Sequence, residues 1–380
     1  MSSPKPTAVV TAVPGVTPFV APEELARRAG RSSLLRLGAN ESAFGPSPLA
    51  IEAMREAVTR ASWYGDPESV ELREAIAQRH GCALENVVIG SGIDDLMSLL
   101  VRAFCAPGDV SLATRGSYPT WTYHVVAYGA TLATAEPTAQ AAADVDALLA
   151  QAALVHPKIV YIANPDNPSG AFLAASEIAR LRAGLDNRVL LVIDEAYADF
   201  VAPNRLPPDG IDARTIRLRT FSKAYGLAGA RIGYALADRE HIATFQRIRQ
   251  HFGVNRTGQI GALAALRDRA YAQAVIAEVI RGRAEYHVLG KRWGIHTLPS
   301  ATNFVCFEIG SRLDAERMVA ILLELGVFVR KPYAPPIDGY IRVTVGTPAE
   351  RETFAAVFAE ALGRLREKAF SGTDPGRLTP

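Results

Sequence analysis

The chain has little of what several common functions require. Only three cysteines occur in 380 residues, Cys82, Cys105 and Cys306. They are too few and too scattered for a disulfide framework, and in their apolar segments they are expected to be buried thiols of a reducing compartment. No Cys/His spacing suits zinc, and there is no HExxH and no phosphate-loop glycine–lysine pair. Neither sign of charge dominates, with 41 Lys and Arg against 39 Asp and Glu. Clusters such as Arg27-Arg28 and Arg330-Lys331 are too short for a nucleic-acid stripe. No apolar run is long enough to cross a bilayer, and the N-terminal segment around Lys5 lacks the apolar stretch of a signal peptide. Gly90-Ser91-Gly92 lacks the third glycine of a dinucleotide fingerprint. What is left is an enzyme of the cytoplasm acting on small molecules, with neither nucleic acid nor membrane as partner.

What the chain does have is apolar material, 49% of its residues, and enough length for two domains. Residues 1–20 read as an extended arm. Helical patterns run from about Pro48 to Ala61, from Ser69 to Arg79, and after Gly92 through Cys105. Short apolar strands are expected at Val87–Ile89, Val110–Leu112, Ile159–Ala163, Val189–Ile193, Ile216–Leu218 and Arg231–Leu236. Strands without polar alternation are buried on both faces, as in a parallel or mixed sheet between helices. The pattern predicts one long helix over Ala262–Val288, then strands at Thr302–Ile309 and Ile341–Val345 around a helix at Ala315–Leu325. The fold class expected is α/β: a three-layer α/β/α large domain over 46–285 with a mixed, mostly parallel sheet, and a smaller α+β domain over 286–368. Residues 1–45 are expected to form the arm and part of the small domain, and 369–380 a mobile tail.

One segment carries distinctive chemistry: Thr220-Phe221-Ser222-Lys223-Ala224-Tyr225-Gly226, continuing to Arg231. Lysine is the amine that condenses with carbonyls. Hydroxyls and an arginine are what a phosphate needs. Together they describe a pocket for pyridoxal 5'-phosphate (PLP), a phosphorylated aldehyde. Asp194 follows an apolar strand directly, at the carboxyl end where open α/β sheets build their sites. There it could pair with a pyridinium nitrogen, or simply cap a helix. The turn Gly90-Ser91-Gly92 feeding a helix offers the backbone of Gly92, Ile93 and Asp94 to a phosphate. Thr220, Ser222 and Arg231 would complete the cup; otherwise the first two cap a turn and Arg231 makes a surface ion pair. Tyr197 is placed near the ring, with an ordinary half-buried tyrosine as the alternative.

Three signatures then resemble the fold-type I class I/II aminotransferases: the lysine segment, Asn164-Pro165-Asp166-Asn167-Pro168-Ser169-Gly170, and Tyr340-Ile341-Arg342-Val343. Within that family the opening Leu37-Gly38-Ala39-Asn40-Glu41 and the run Arg219–Ala224 are similar to the histidinol-phosphate aminotransferase group. The resemblance spans about Leu37 to Thr347. It implies PLP as cofactor on Lys223, with Asn167 and Tyr197 at the ring's oxygen and Tyr118 stacked on its face. It implies a homodimer in which Tyr64 reaches the cofactor phosphate of a second subunit. It also implies Arg342, assisted by Asn40, for the substrate α-carboxylate and Arg330 for a substrate phosphate. The implied reaction moves an amino group from histidinol phosphate or a similar donor to 2-oxoglutarate, a 2-oxo acid, with Lys223 shuttling the proton. The group's Tyr-x-Pro-Gly is here Ala12-Val13-Pro14-Gly15, so a tyrosine that helps hold the substrate phosphate is missing. Three alternatives stay open: an aromatic or broad-range aminotransferase, a PLP lyase such as a threonine-phosphate decarboxylase, and a non-enzymatic PLP-binding regulator.

Overall fold

A computed structural model describes residues 3–15, 20–207 and 210–371. Eleven strands are present among them: β1 (Leu35–Arg36), β2 (Val87–Gly90), β3 (Val110–Thr114), β4 (Thr131–Ala135), β5 (Ile159–Ala163), β6 (Leu190–Asp194), β7 (Thr215–Thr220), β8 (Gly233–Leu236), β9 (Phe304–Glu308), β10 (Val327–Phe328) and β11 (Tyr340–Thr344). Seven form one sheet in the order β2-β8-β7-β6-β5-β3-β4. Only β8 runs against its neighbours, pairing antiparallel with β2 and β7, while the remaining pairs are parallel.

The period of two along the strands builds the layers. Ile159 and Tyr161 of β5, with Leu190 and Val192 of β6, enter one core with Leu96, Leu100 and Trp121 from the helices Ile93–Phe104 and Pro119–Ala127. Val160, Ile162, Leu191 and Ile193 point the other way, against Leu148 and Leu181 of the helices Val145–Val155 and Ala175–Gly184. The result is the expected α/β/α sandwich. Asp194 continues the parity of Leu190 and Val192, which puts its side chain on the same face as Tyr161.

A third core gathers the remaining strands. β1 pairs with β10, and β11 with β9. Phe304, Phe307, Ile341 and Val343 of β9 and β11 pack with Tyr286, Phe354 and Phe358. The helix expected over Ala262–Val288 is two helices, Arg256–Arg267 and Arg269–Arg292. Asp268 breaks it, because its side chain accepts from the Tyr271 N–H and caps the second helix. Arg231 is also not in a strand: its backbone is left-handed (φ 55°), and β8 begins two residues later. The N-terminal arm contains one helical turn, Ala8–Thr11, rather than extended chain throughout. The strand β4 and the helices Val145–Val155, Ala175–Gly184 and Arg239–Ile248 were not anticipated. Of the three cysteines, all free, only Cys306 is fully buried; Cys82 and Cys105 are half-buried. The last helix runs to Ser371, and the rest of the expected tail lies outside the described residues. No helix among the described residues is long and apolar enough to cross a membrane.

Candidate active site

A cavity of about 620 Å³ opens at the carboxyl ends of β5 and β6 and beside the turn after β7, a size suited to a small molecule. Asn40, Ile93, Asp94, Tyr118, Asn167, Asp194, Tyr197, Thr220, Ser222, Lys223, Arg231, Arg330 and Arg342 all line it. Segments more than 300 residues apart therefore meet around one volume. Gly92 sits just behind the wall, against Arg231. Tyr64 is not at this cavity: it is 77% exposed, with its ring 4.6 Å from that of Phe252.

At one end is Asp194. It is buried, and its two carboxylate oxygens accept from different donors, Oδ2 from the Tyr161 hydroxyl at 2.9 Å and Oδ1 from the Ala196 N–H at 3.0 Å. Burial pushes its pKa up to about 6, against the pull of those two donors. The turn that follows is pinned from below. Glu195, fully buried, accepts from Arg217 Nε at 3.0 Å and Arg219 Nε at 2.7 Å, both on β7. Two guanidiniums hold that carboxyl below its ordinary range despite its burial. This clamp ties the Asp194–Tyr197 turn to the strand that leads to Lys223.

Lys223 is half-buried and faces the cavity. Burial, then the positive charge of Arg342, lowers its amine to about 8, so a substantial neutral fraction exists near neutrality. Its turn is tight. Gly226 (φ 68°) donates its N–H to the Lys223 carbonyl at 3.1 Å, and a Cβ there would collide with the Gly45 carbonyl. The Thr220 hydroxyl lies 2.9 Å from that of Ser222 and accepts the Ser222 N–H at 3.0 Å.

Gly92 (φ 86°) precedes the helix Ile93–Phe104 and gives it no side-chain cap. The first residues of this twelve-residue helix, Ile93 and Asp94, line the cavity, so its uncapped N-terminus and the helix dipole lie at the cavity wall. A Cβ on Gly92 would strike the Arg231 guanidinium, whose Cζ would be 3.0 Å away. Arg231 itself is left-handed and half-exposed, 4.0 Å from Asp94. Holding a non-glycine residue there costs roughly 1–2 kcal/mol. Asn40 (φ 53°) is in the same conformation. Two strained residues at one cavity fit the tendency of strain to collect at functional sites.

At the other end are two arginines. Arg330 and Arg342 face each other across an antiparallel bridge, exchanging N–H···O bonds of 3.4 and 2.6 Å. Residues so paired project to the same side. Arg342 donates to the Asn167 side-chain oxygen and, at 3.0 Å, to the Gly38 carbonyl. Its buried Nε finds no partner among the described residues. Asn40 donates to the Tyr197 hydroxyl at 2.8 Å and is held by Thr344 and Asn303. Burial pushes the Tyr197 phenol up to about 12.

The donor set fits PLP: an amine near neutrality, an acid at the far edge, hydroxyls and a cation around an uncapped helix start, and a flat aromatic, Tyr118, on the wall. No group of metal-binding side chains occurs among the described residues. Some lining residues escaped sequence reasoning. Tyr123 and Tyr333 line the cavity, with Tyr333 donating to the Ser117 carbonyl at 2.7 Å, and Pro14 of the arm reaches it too. Tyr161 lies in an apolar strand that reads only as core. The one available signal was parity: it shares the face of Asp194 on the neighbouring strand.

Comparison with known proteins identifies the family. The family model for aminotransferase class I and II matches residues 32–358. The histidinol-phosphate aminotransferase of Erythrobacter litoralis is 38% identical over 339 residues, covering 87% of this chain and 91% of that protein. The one from Sphingopyxis alaskensis is 37% identical over 362 residues, covering 92% and 96%. The crystal structure of the Sinorhizobium meliloti enzyme with pyridoxal-5'-phosphate superposes with a TM-score of 0.92 at 38% identity, covering 96% of this chain and 99% of that one.

Proposed function

The chain belongs to the class I and II aminotransferases and is a PLP-dependent transaminase; from that premise we propose that it moves an amino group from histidinol phosphate, or a closely similar anionic amine, to 2-oxoglutarate. The observation that carries the choice of donor is the Arg330–Arg342 pair. Like charges held side by side repel. A ligand with a phosphate or carboxylate there relieves that repulsion and satisfies the Arg342 Nε.

PLP, when bound, supplies the electron sink that stabilises charge at the donor carbon. Asp194 would keep the ring nitrogen protonated by offering it a buried carboxylate. Asn167 and Tyr197 would hydrogen-bond the ring oxygen, and Tyr118 would cover one face. Thr220, Ser222, Arg231 and the N–H groups of Ile93 and Asp94 would hold the phosphate, whereas the Gly92 N–H, assigned to it from the sequence, is already given to the Gly90 carbonyl at 2.8 Å. Lys223 takes the proton from the donor Cα, which its lowered pKa permits near neutral pH. Arg342, held by Asn167 and the Gly38 carbonyl and with Asn40 at the same end, grips the carboxylate of the acceptor. Arg330 grips the phosphate of the donor.

The assembly proposed is a cytoplasmic homodimer. Tyr64 lies outside its own cavity and beside exposed Trp63 and Phe252, which suits an apolar face covered by a second copy. The division into a large domain over 46–285 and a small one over 286–368 is part of the same proposal. A second reading, an aromatic amino-acid donor, is favoured by one observation. Tyr123, Tyr333 and Pro14 line the cavity, and the arm carries Ala12 where the group has tyrosine.

Glutamate formation from 2-oxoglutarate, measured with histidinol phosphate and with phenylalanine, separates the two. The proposal expects kcat/KM to favour the phosphate ester by at least about tenfold, one charge-assisted contact. A preference for phenylalanine selects the second reading. Carbon dioxide release without any 2-oxo acid overturns both.

A further inference from the structure

Tyr161 has no assigned part in the reaction, yet it is the most completely enclosed phenol near the cavity. Its ring is fully buried and stacks on Trp121 at 4.6 Å and 9°. Trp121 in turn donates its indole N–H to the Ser111 hydroxyl on β3 at 3.1 Å. The far end of the phenol donates to Asp194 Oδ2 at 2.9 Å. A single line of contact thus runs from β3 through a helix to β5 and on to the carboxyl end of β6.

Strand register explains why the contact exists. Tyr161 pairs with Val192, and Ala163 pairs with Asp194. Tyr161 therefore meets Asp194 on the diagonal, two residues on along the same face, within reach of a long side chain. A buried hydroxyl without a partner costs free energy, so packing that immobilises the ring also fixes where the O–H points. Trp121 lies three residues after Tyr118 in the same helical segment. The helix that carries the proposed ring-stacking tyrosine also locks the phenol behind the acid.

We infer that Tyr161 is a positioning residue of the reaction: it holds one oxygen of Asp194 so that the carboxylate stays ionised and aimed at the ring nitrogen of bound PLP. The inference rests on the proposed role of Asp194. With Ala196 on Oδ1 and Tyr161 on Oδ2, each oxygen keeps a lone pair for the cavity, and rotation of the carboxylate would break both bonds. A donor to the charged form also opposes the effect of burial on this acid. The other titratable groups facing it are Asp94, Lys223, Tyr118 and Tyr197.

The test compares Tyr161→Phe, Trp121→Phe and Asp194→Asn with the natural chain. The Phe change removes one oxygen and keeps the ring stack. Two readouts are taken: PLP affinity of the apoprotein by fluorescence titration, and the pH dependence of kcat. Tyr161→Phe is expected to weaken PLP about tenfold, the value of a hydrogen bond to a charged group. It should also move the acid limb of kcat to higher pH, because the acid then protonates more readily, with KM for the donor unchanged. Trp121→Phe keeps the hydroxyl but loosens its ring, so the same two changes should appear in smaller measure. Normal affinity and an unmoved acid limb in Tyr161→Phe, with both altered in Asp194→Asn, would overturn the inference. Normal behaviour of Asp194→Asn would instead refute the role of Asp194 itself.

Discussion

The two ends of the cavity are built differently. The Asp194–Lys223 end is made by consecutive features of one sheet: β6 ends in Asp194, β7 ends in Thr220, and Glu195 bridges the turn between them to Arg217 and Arg219. The Arg330–Arg342 end is assembled from the arm, the segment around Asn40, β9, β11 and the chain before β11. Its hydrogen bonds join Asn40 to Thr344 and Arg342 to Gly38. The first end is rigid by local connection, and the second depends on long-range packing. The difference suggests that reaction chemistry resides in the first and donor choice in the second.

The largest expected effect lies at the sheet end. Lys223→Ala should cut turnover by about 10⁴-fold, the upper range for a general acid–base group. The variant should still bind PLP, which borohydride would then fail to fix covalently; covalent label in that variant would show that another lysine serves. Asp194→Asn comes next, with kcat lower by about 10²-fold as one charged hydrogen bond is lost, and KM values little changed in steady-state assays. At the arginine end, Arg330→Gln should raise KM for histidinol phosphate about tenfold while leaving phenylalanine turnover alone. An equal loss for both donors would erase the distinction between the ends.

The pH dependence tests how far the ends communicate. An ordinary lysine amine becomes neutral only above about 10.4, whereas Lys223 does so above about 8, partly because of Arg342. Recombination of the apoprotein with PLP needs the neutral amine. Its rate should therefore rise as pH passes through about 8 and level off above it. Arg342→Gln removes a cation, so the midpoint should move up; Arg342→Lys keeps the charge and should leave it in place. The smallest effect is expected for Gly92→Ala, where the left-handed backbone and the Arg231 contact should lower stability by about 1–3 kcal/mol, seen as an earlier melt.

Legibility followed the same division. Asp194, Lys223, Thr220 and Ser222 could be read because they end apolar strands or sit in a turn, so a few neighbouring residues define their surroundings. Arg231 was placed at the site but put in a strand, since neighbouring Ile232 and Gly233 mask a left-handed residue. The split at Asp268 was missed because apolar periodicity continues across it and only a side-chain cap marks the break. Tyr123 and Tyr333 carry no local sign at all: Tyr333 becomes a lining residue only by reaching Ser117 from more than 200 positions away.

By itself the sequence determined the layered α/β architecture and the grouping of Lys223 with the Thr220 and Ser222 hydroxyls on one turn, because burial patterns and turn chemistry act over a few residues. Tertiary structure alone decided that Arg330 and Arg342 stand side by side, that Asn40 reaches Tyr197, and that a core phenol rests on Asp194. Those contacts arise from strand register and the meeting of distant segments, where position in space has no counterpart in neighbouring sequence.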